Sequence, residues 1–217
     1  MKTFLLAGVC VFVATGVAFA ETTETSPIMA SLKGDLVESS GKKFKKFDDA
    51  QLAPVKYYGI YYSASWCGPC RAFTPDLVSW YKRNKRKYPN FELIFVSSDR
   101  SEGDMAAYMK EDKMEWPALD YDKKKSNRSI TKYAGRGIPC LVLIDDQGAV
   151  LSDSYEGSNY VGPRKVLADI EKSLKANPPS AEALAAAKAA PAATGTSPSG
   201  SSSAYFDSFF KKKPAGQ

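Results

Sequence analysis

One junction constrains this chain more than any other feature. A continuous apolar and aromatic run, Val55 to Ser63 (VKYYGIYYS), leads through Ala64-Ser65 into Trp66-Cys67-Gly68-Pro69-Cys70. An unbroken run of this kind reads as a strand buried on both faces. From Cys67 the period changes. Phe73, Leu77 and Trp80/Tyr81 recur at i, i+4 and i+7/8, with polar residues elsewhere up to Lys87, which is a helix with one apolar face. The two cysteines therefore stand where a buried strand turns into a helix.

The rest of the chain extends that pattern. Phe91 to Ser97 (FELIFVS) reads as a second buried strand. Ser101 with Asp104 three residues on marks a helix start, and Met105, Tyr108 and Met109 supply its inner face. A short helical turn over Ile130–Tyr133 leads into Gly135-Arg136-Gly137-Ile138-Pro139. Cys140–Ile144 and Ala149–Ser152 are strands joined by a hairpin turn over Asp145–Gly148, and Gly162–Lys175 is the last helix. Leu36-Val37 and Phe44–Phe47 add an N-terminal edge hairpin around Gly41. The order β-α-β-α-β-β-α implies an α/β domain with a central mixed sheet flanked by helices.

At the N-terminus, Lys2 precedes an apolar run from Phe4 to Phe19, closed by Ala18-Phe19-Ala20 before the polar Glu21-Thr22-Thr23-Glu24. That is the layout of a cleaved secretory signal over residues 1–20; the alternative, an uncleaved anchor, is short of the ~20 residues that span a bilayer. Residues 21–30 read as a linker and 31–176 as the folded domain. From Asn177-Pro178-Pro179 the composition turns to Ala, Pro, Ser and Gly, so 177–217 reads as a disordered tail with weak helix over Ala181–Ala190. It ends in Tyr205-Phe206-Asp207-Ser208-Phe209-Phe210 and Lys211-Lys212-Lys213, which is either disordered leftover or a weak contact for a membrane surface or a partner. The expected location is periplasmic or secreted. Cys10 leaves with the signal, and the mature chain keeps Cys67, Cys70 and Cys140.

There is no histidine in the 217 residues, so Ser-His-Asp triads, Cys-His pairs and His-ligated metal sites are excluded. A net charge of +6 is spread through basic clusters at Lys82–Lys87, Lys123–Lys125 and Lys211–Lys213. None is interleaved with aromatics or glycine as a nucleic-acid surface would be, and no nucleic-acid partner is expected. A four-sulfur zinc site needs a second Cys-x-x-Cys, which is absent, so neither metal nor cofactor is expected.

What remains is thiol chemistry. Cys67 at a helix N-terminus meets unpaired backbone N–H groups and the positive end of the helix dipole, which favour a thiolate without any histidine. Two intervening residues bring Cys70 one helical turn away, within reach of a disulfide. Cys67 would attack a substrate disulfide and Cys70 would resolve the mixed disulfide.

These residues resemble the thioredoxin superfamily. Trp66–Cys70 matches its active-site motif, and Ile138-Pro139 matches its cis-proline loop before a strand. More narrowly, Tyr62–Cys67 running into Cys70-Arg71-Ala72-Phe73-Thr74-Pro75 resembles the nucleoredoxin/tryparedoxin branch. Val96-Ser97-Ser98-Asp99 and Met114-Glu115-Trp116-Pro117 are similar to it too. The resemblance spans about Leu32 to Lys175 and implies a thioredoxin fold. Cys67 becomes the exposed nucleophile and Cys70 the buried resolving thiol. Pro139 in cis packs against the pair and presents its neighbour's backbone to an extended substrate. Trp66, Gly68, Pro69 and Ile138 support the site, Trp66 and Trp116 are candidates to flank the groove with a core place equally open to Trp116, and Pro75 would kink the helix.

Three departures qualify it. The branch usually carries Pro-Pro between its cysteines, where this chain has Gly68-Pro69 as thioredoxin does. Thioredoxin's buried acid falls at Tyr61, which leaves Asp99 and Glu102 as candidate proton acceptors. Cys140 follows Pro139, either as a buried spectator or as an extra thiol open to oxidation. The expected activity is reduction of disulfides in protein substrates, with a membrane or soluble electron donor. The alternatives are a disulfide oxidase or isomerase, and a metallochaperone carrying Cu(I) on Cys67, Cys70 and Cys140.

Overall fold

The computed structural model describes residues 26–41 and 43–189. The signal segment 1–20, residues 21–25 of the linker and the tail from 190 onward, with its aromatic-basic end, lie outside the described residues. In chain order the elements are α1 (Pro27–Leu32), β1 (Leu36–Ser40), β2 (Lys43–Lys46), β3 (Tyr57–Ser63), α2 (Gly68–Asn84), β4 (Phe91–Ser97), α3 (Glu102–Glu111) and β5 (Ala118–Leu119). They continue with α4 (Arg128–Thr131), β6 (Cys140–Asp145), β7 (Val150–Asp153), β8 (Tyr155–Glu156), β9 (Asn159–Tyr160), α5 (Pro163–Ala176) and α6 (Ala181–Ala189).

Seven strands form one mixed sheet in the order β2-β1-β5-β4-β3-β6-β7. The run read as doubly buried is its centre. β3 pairs in parallel with β4 from Tyr57↔Phe91 to Ser63↔Ser97, and antiparallel with β6 from Tyr57↔Asp145 to Tyr62↔Cys140. The C-terminal ends of β3 and β4 and the start of β6 therefore lie at one edge of the sheet, and the cysteine motif leaves from that edge.

Alternation along β3 divides the core into two. Tyr61 faces the side covered by α2, α3 and α5, among Phe73, Leu77, Trp80, Phe95, Tyr108, Val166 and Ile170. Tyr58, Ile60 and Tyr62 face the other side, with Ile28 and Leu32 of α1, Ile130 of α4, and Cys140, Val142 and Ile144 of β6. Each fully buried large side chain in these layers contributes roughly 1.5–3 kcal/mol. Gly59 in mid-strand is explained by close approach: a Cβ there would meet Leu93 Cδ2 at 2.6 Å and Phe91 Cζ at 3.1 Å.

Local signals place the helix ends. The Ser101 hydroxyl accepts from Asp104 N at 3.1 Å and donates to the Asp104 carboxylate at 2.8 Å, the start expected for α3. α2 runs through Pro75 as one helix. The edge hairpin forms as β1 and β2 around Gly41. One boundary differs from expectation. The folded part begins before residue 31: Ser26 caps α1, and Ile28 and Leu32 are buried, in a helix too short to display a period. The folded part is also followed by α6, a helix with no buried residue, lying in the segment where weak helix was expected.

Candidate active site

Cys67 is the N-cap of α2, with extended backbone at φ −89° and ψ 107°, and its sulfur accepts the Cys70 N–H at 3.2 Å. Gly68 and Pro69 form the first helical positions, where proline's missing N–H costs nothing. Cys67 and Cys70 are joined as a disulfide with Cα atoms 5.2 Å apart. Both are buried, which corrects the exposed position expected for Cys67, although Gly68 and Pro69 beside them are exposed. When the pair is reduced, the N–H and dipole that meet Cys67 Sγ favour its thiolate.

The Ile138–Pro139 peptide is cis. The Ile138 carbonyl oxygen stands 3.7 Å from Cys67 Sγ, and the Ile138 side chain packs against Ala64, Cys67 and Cys70. A proline at 139 presents no N–H beside the sulfur.

On the β4 side of the motif, Trp66 is 59% exposed and donates its indole N–H to the Ser98 carbonyl at 3.2 Å. Asp99 secures the loop from beneath. Its buried carboxylate accepts Ser65 N–H and the Ser97 hydroxyl, both at 2.7 Å. Lys124 donates to the Ser97 carbonyl at 2.8 Å, and burial lowers its ammonium pKa against the opposing pull of Asp99.

Beneath Cys70 lies a buried cluster of hydroxyls. Thr74 Oγ1 lies 2.9 Å from the Cys70 carbonyl, 2.8 Å from Tyr61 OH and 2.7 Å from Tyr108 OH, and Tyr108 OH lies 3.0 Å from Ser63 Oγ. The Thr74 hydroxyl has one proton. With that proton on the Cys70 carbonyl, both tyrosines donate to Thr74, and Ser63 donates to Tyr108. Burial raises the pKa of both phenols, which keeps them neutral donors. The position corresponding to thioredoxin's acid is thus filled by a neutral network.

The two carboxylates considered for the acid's role have other places. Asp99 is tied to Ser65 and Ser97, and Glu102 is exposed in the first turn of α3. Trp116 does not flank a groove. It is buried, edge-on to Tyr81 with ring centroids 5.2 Å apart. Cys140 is buried and unpaired on the sheet face opposite α2, beside Tyr62. Burial pushes its thiol up to about 11, so it is a poor nucleophile near neutrality and supplies no third sulfur to the pair. Among the described residues no group of three or more Cys, Asp or Glu is gathered for a metal.

Two parts of the site were not anticipated. Ser63 and Thr74 entered only within a strand run or the motif of the family resemblance, and Tyr108 only as inner face of a helix, although Thr74 follows Cys70 by four positions and so shares its helix face. The β8–β9 hairpin, whose Tyr160 hydroxyl donates to the Pro139 carbonyl at 2.7 Å, carried no strand signal in two-residue strands.

Known proteins are similar to this chain. A family model described as Thioredoxin-like matches residues 55–150. Nucleoredoxin of Homo sapiens is 36% identical over 127 residues, covering 58% of this chain and 28% of that protein. Tryparedoxin of Trypanosoma brucei brucei is 35% identical over 114 residues, covering 48% of this chain and 77% of that protein. The solved structure of tryparedoxin II from C. fasciculata superposes with TM-score 0.52 at 30% identity, covering 72% of this chain and 99% of that one. The chain spans under a third of the length of the nucleoredoxin it matches, and most of the tryparedoxin. On the fold, the cysteine pair and these likenesses together, the chain belongs to the thioredoxin-like family, with nucleoredoxins and tryparedoxins among its relatives.

Proposed function

We propose that this protein is a thiol–disulfide oxidoreductase that reduces disulfides of protein substrates outside the cytoplasm. The observation that carries the reading is the placement of Cys67. It caps α2 with the Cys70 N–H on its sulfur at 3.2 Å, and it lies beside the carbonyl that precedes the cis-proline.

In the reduced protein the Cys67 thiolate attacks one sulfur of a substrate disulfide. The S–S bond breaks, a mixed disulfide forms, and the departing substrate thiolate takes up a proton. Cys70 then loses its proton, attacks Cys67 Sγ and releases the second substrate thiol. Two electrons have passed from the pair to the substrate, leaving the Cys67–Cys70 disulfide. A dithiol donor, soluble or membrane-bound, returns the pair to its reduced form by the same exchange in reverse.

The export part of the reading is supported by residues 1–20, whose basic start, apolar run and small-residue close have the layout of a cleaved signal. Oxidase or isomerase activity uses the same site, and the direction is set by the potential of the pair. Cu(I) carriage is less favoured because Cys140 stands on the opposite face of the sheet.

The deciding experiment equilibrates the protein in glutathione or dithiothreitol redox buffers. A Cys67–Cys70 potential near about −270 mV supports a reductase, whereas one near about −120 mV overturns that direction in favour of an oxidase. Failure of the pair to cycle at all rejects the thiol–disulfide reading. Intact mass of protein from periplasmic or culture fractions tests export, with Glu21 expected as the first residue.

A further inference from the structure

The cis-proline loop is held by a structure outside the cysteine motif. β8 and β9 form a two-stranded hairpin, with Tyr155 opposite Tyr160 and their rings 5.0 Å apart. One end of the hairpin is bonded to β6, and the other end is bonded to the first. Ser154 Oγ accepts from Leu141 N at 2.8 Å, and the Ser154 carbonyl accepts Val161 N at 2.9 Å and Gly162 N at 3.1 Å.

From that base two aromatic side chains reach the loop. The Tyr155 ring lies against Gly135, where a Cβ would collide with it, and its hydroxyl would stand 3.2 Å from a Cβ at Gly137. The two glycines before Ile138-Pro139 make room for this ring. Tyr160 donates its hydroxyl to the Pro139 carbonyl at 2.7 Å. Of two consecutive carbonyls, that of Ile138 lies 3.7 Å from Cys67 Sγ, and that of Pro139 is held by the Tyr160 hydroxyl.

The hairpin also contributes exposed surface. Among the described residues, the large hydrophobic side chains left exposed are Trp66, Val150, Leu151, Tyr160 and Val161. Trp66 leans toward the end of β4 through its bond to the Ser98 carbonyl, and Tyr160 stands at the start of β6. Since β3 lies between β4 and β6, the two rings fall on opposite sides of the chain leading into Cys67.

We propose that Tyr160 is a positioning and specificity residue for polypeptide substrates. Its hydroxyl sets the cis-proline loop in the register that receives an extended substrate backbone, and its ring with Val161 forms the apolar wall facing Trp66. The substrate segment it fits is extended and carries an apolar side chain next to the target cysteine. The inference rests on the disulfide-reductase reading above.

The test is Tyr160→Phe, which keeps the ring and removes the donor at a residue 51% exposed. Steady-state reduction of insulin, a polypeptide disulfide, is compared with reduction of hydroxyethyl disulfide, which has no backbone to place. The expected result is a KM for insulin raised about fivefold, the weight of one hydrogen bond, and a clearly smaller loss on hydroxyethyl disulfide. Unchanged kinetics on insulin overturn the inference while leaving the reductase reading intact. Equal slowing of both substrates also overturns it, because the effect would then lie at the sulfurs. A wild-type protein that exchanges with neither disulfide overturns the underlying reading and this inference with it.

Discussion

Thr74 Oγ1 donates to the carbonyl of Cys70 at 2.9 Å and is at the same time the acceptor for two buried phenols, Tyr61 at 2.8 Å and Tyr108 at 2.7 Å. One side chain thus joins the resolving cysteine, the central strand and α3. Thr74→Val keeps the shape and removes all three bonds. Tyr61 is left without its acceptor while Tyr108 can turn its proton to Ser63 Oγ, so the variant is expected to lose about 1–3 kcal/mol in urea unfolding. Tyr61→Phe removes a single donor, and the acceptor it leaves still has Tyr108; its expected cost is about 1 kcal/mol.

Separate roles for the two cysteines make distinct predictions. Cys67→Ser has no nucleophile for the substrate disulfide and is expected to have no reductase activity. Cys70→Ser still attacks but has no resolving thiol, so a mixed disulfide with substrate should accumulate, visible by intact mass under non-reducing conditions. If Cys70→Ser accumulates no adduct with insulin while Cys67→Ser does, the order of attack is reversed. The helix-terminus argument adds a pH signature: alkylation of Cys67 in the reduced protein should reach half its maximal rate at a lower pH than that of a free thiol measured alongside.

Trp66, Cys67, Cys70, Ile138 and Pro139 were legible because their signals are local: a strand–helix junction, a two-residue spacing and a proline before a strand. The two-sided burial of β3 was legible for the same reason, since an unbroken apolar run needs cover on both faces. Trp116 was not, because Met114-Glu115-Trp116-Pro117 is equally compatible with a groove wall and a core; what decides is its packing on Tyr81, 35 positions away in a different element. Glu102 was proposed from its place after β4, but α3 turns it outward. Tyr160 gave no sign because its role depends on reaching across to Pro139. The hydroxyl cluster was hidden in the same way: Thr74 shares a helix face with Cys70, whereas Tyr61 and Tyr108 arrive from two other elements.

Asp99 connects β4 to the active-site loop through Ser65 N–H at 2.7 Å. Asp99→Ala leaves that N–H and the Ser97 hydroxyl without their acceptor, beside the carbonyl of Ser98 that holds Trp66. The expected cost is about 1–3 kcal/mol, together with greater freedom of the Trp66 ring. Trp80 and Trp116 are buried, so acrylamide quenching of fluorescence reports mainly on Trp66. Quenching should rise in the variant, and unchanged quenching would show that the carboxylate does not hold the loop.

Cys140 offers a test of burial through alkaline stability. Its thiol, ordinarily near 9.0, is pushed up to about 11 by burial on the face opposite the active pair. Below pH 9 both folded and unfolded chains hold the proton and the thiol adds no pH dependence. Between about pH 9 and pH 11 the unfolded chain releases it while the native chain keeps it, so this group's share of stability is lost as pH rises. The full loss is on the order of 3 kcal/mol. Buried tyrosines titrate in the same direction, which makes the informative quantity the difference between wild type and Cys140→Ala. The variant is expected to be less stable at pH 8, because it leaves a cavity, and to fall less steeply toward pH 10.5 in urea melts. Parallel curves would mean that the thiol meets water in the native state. That would return Cys140 to the role of an accessible extra thiol, open to oxidation.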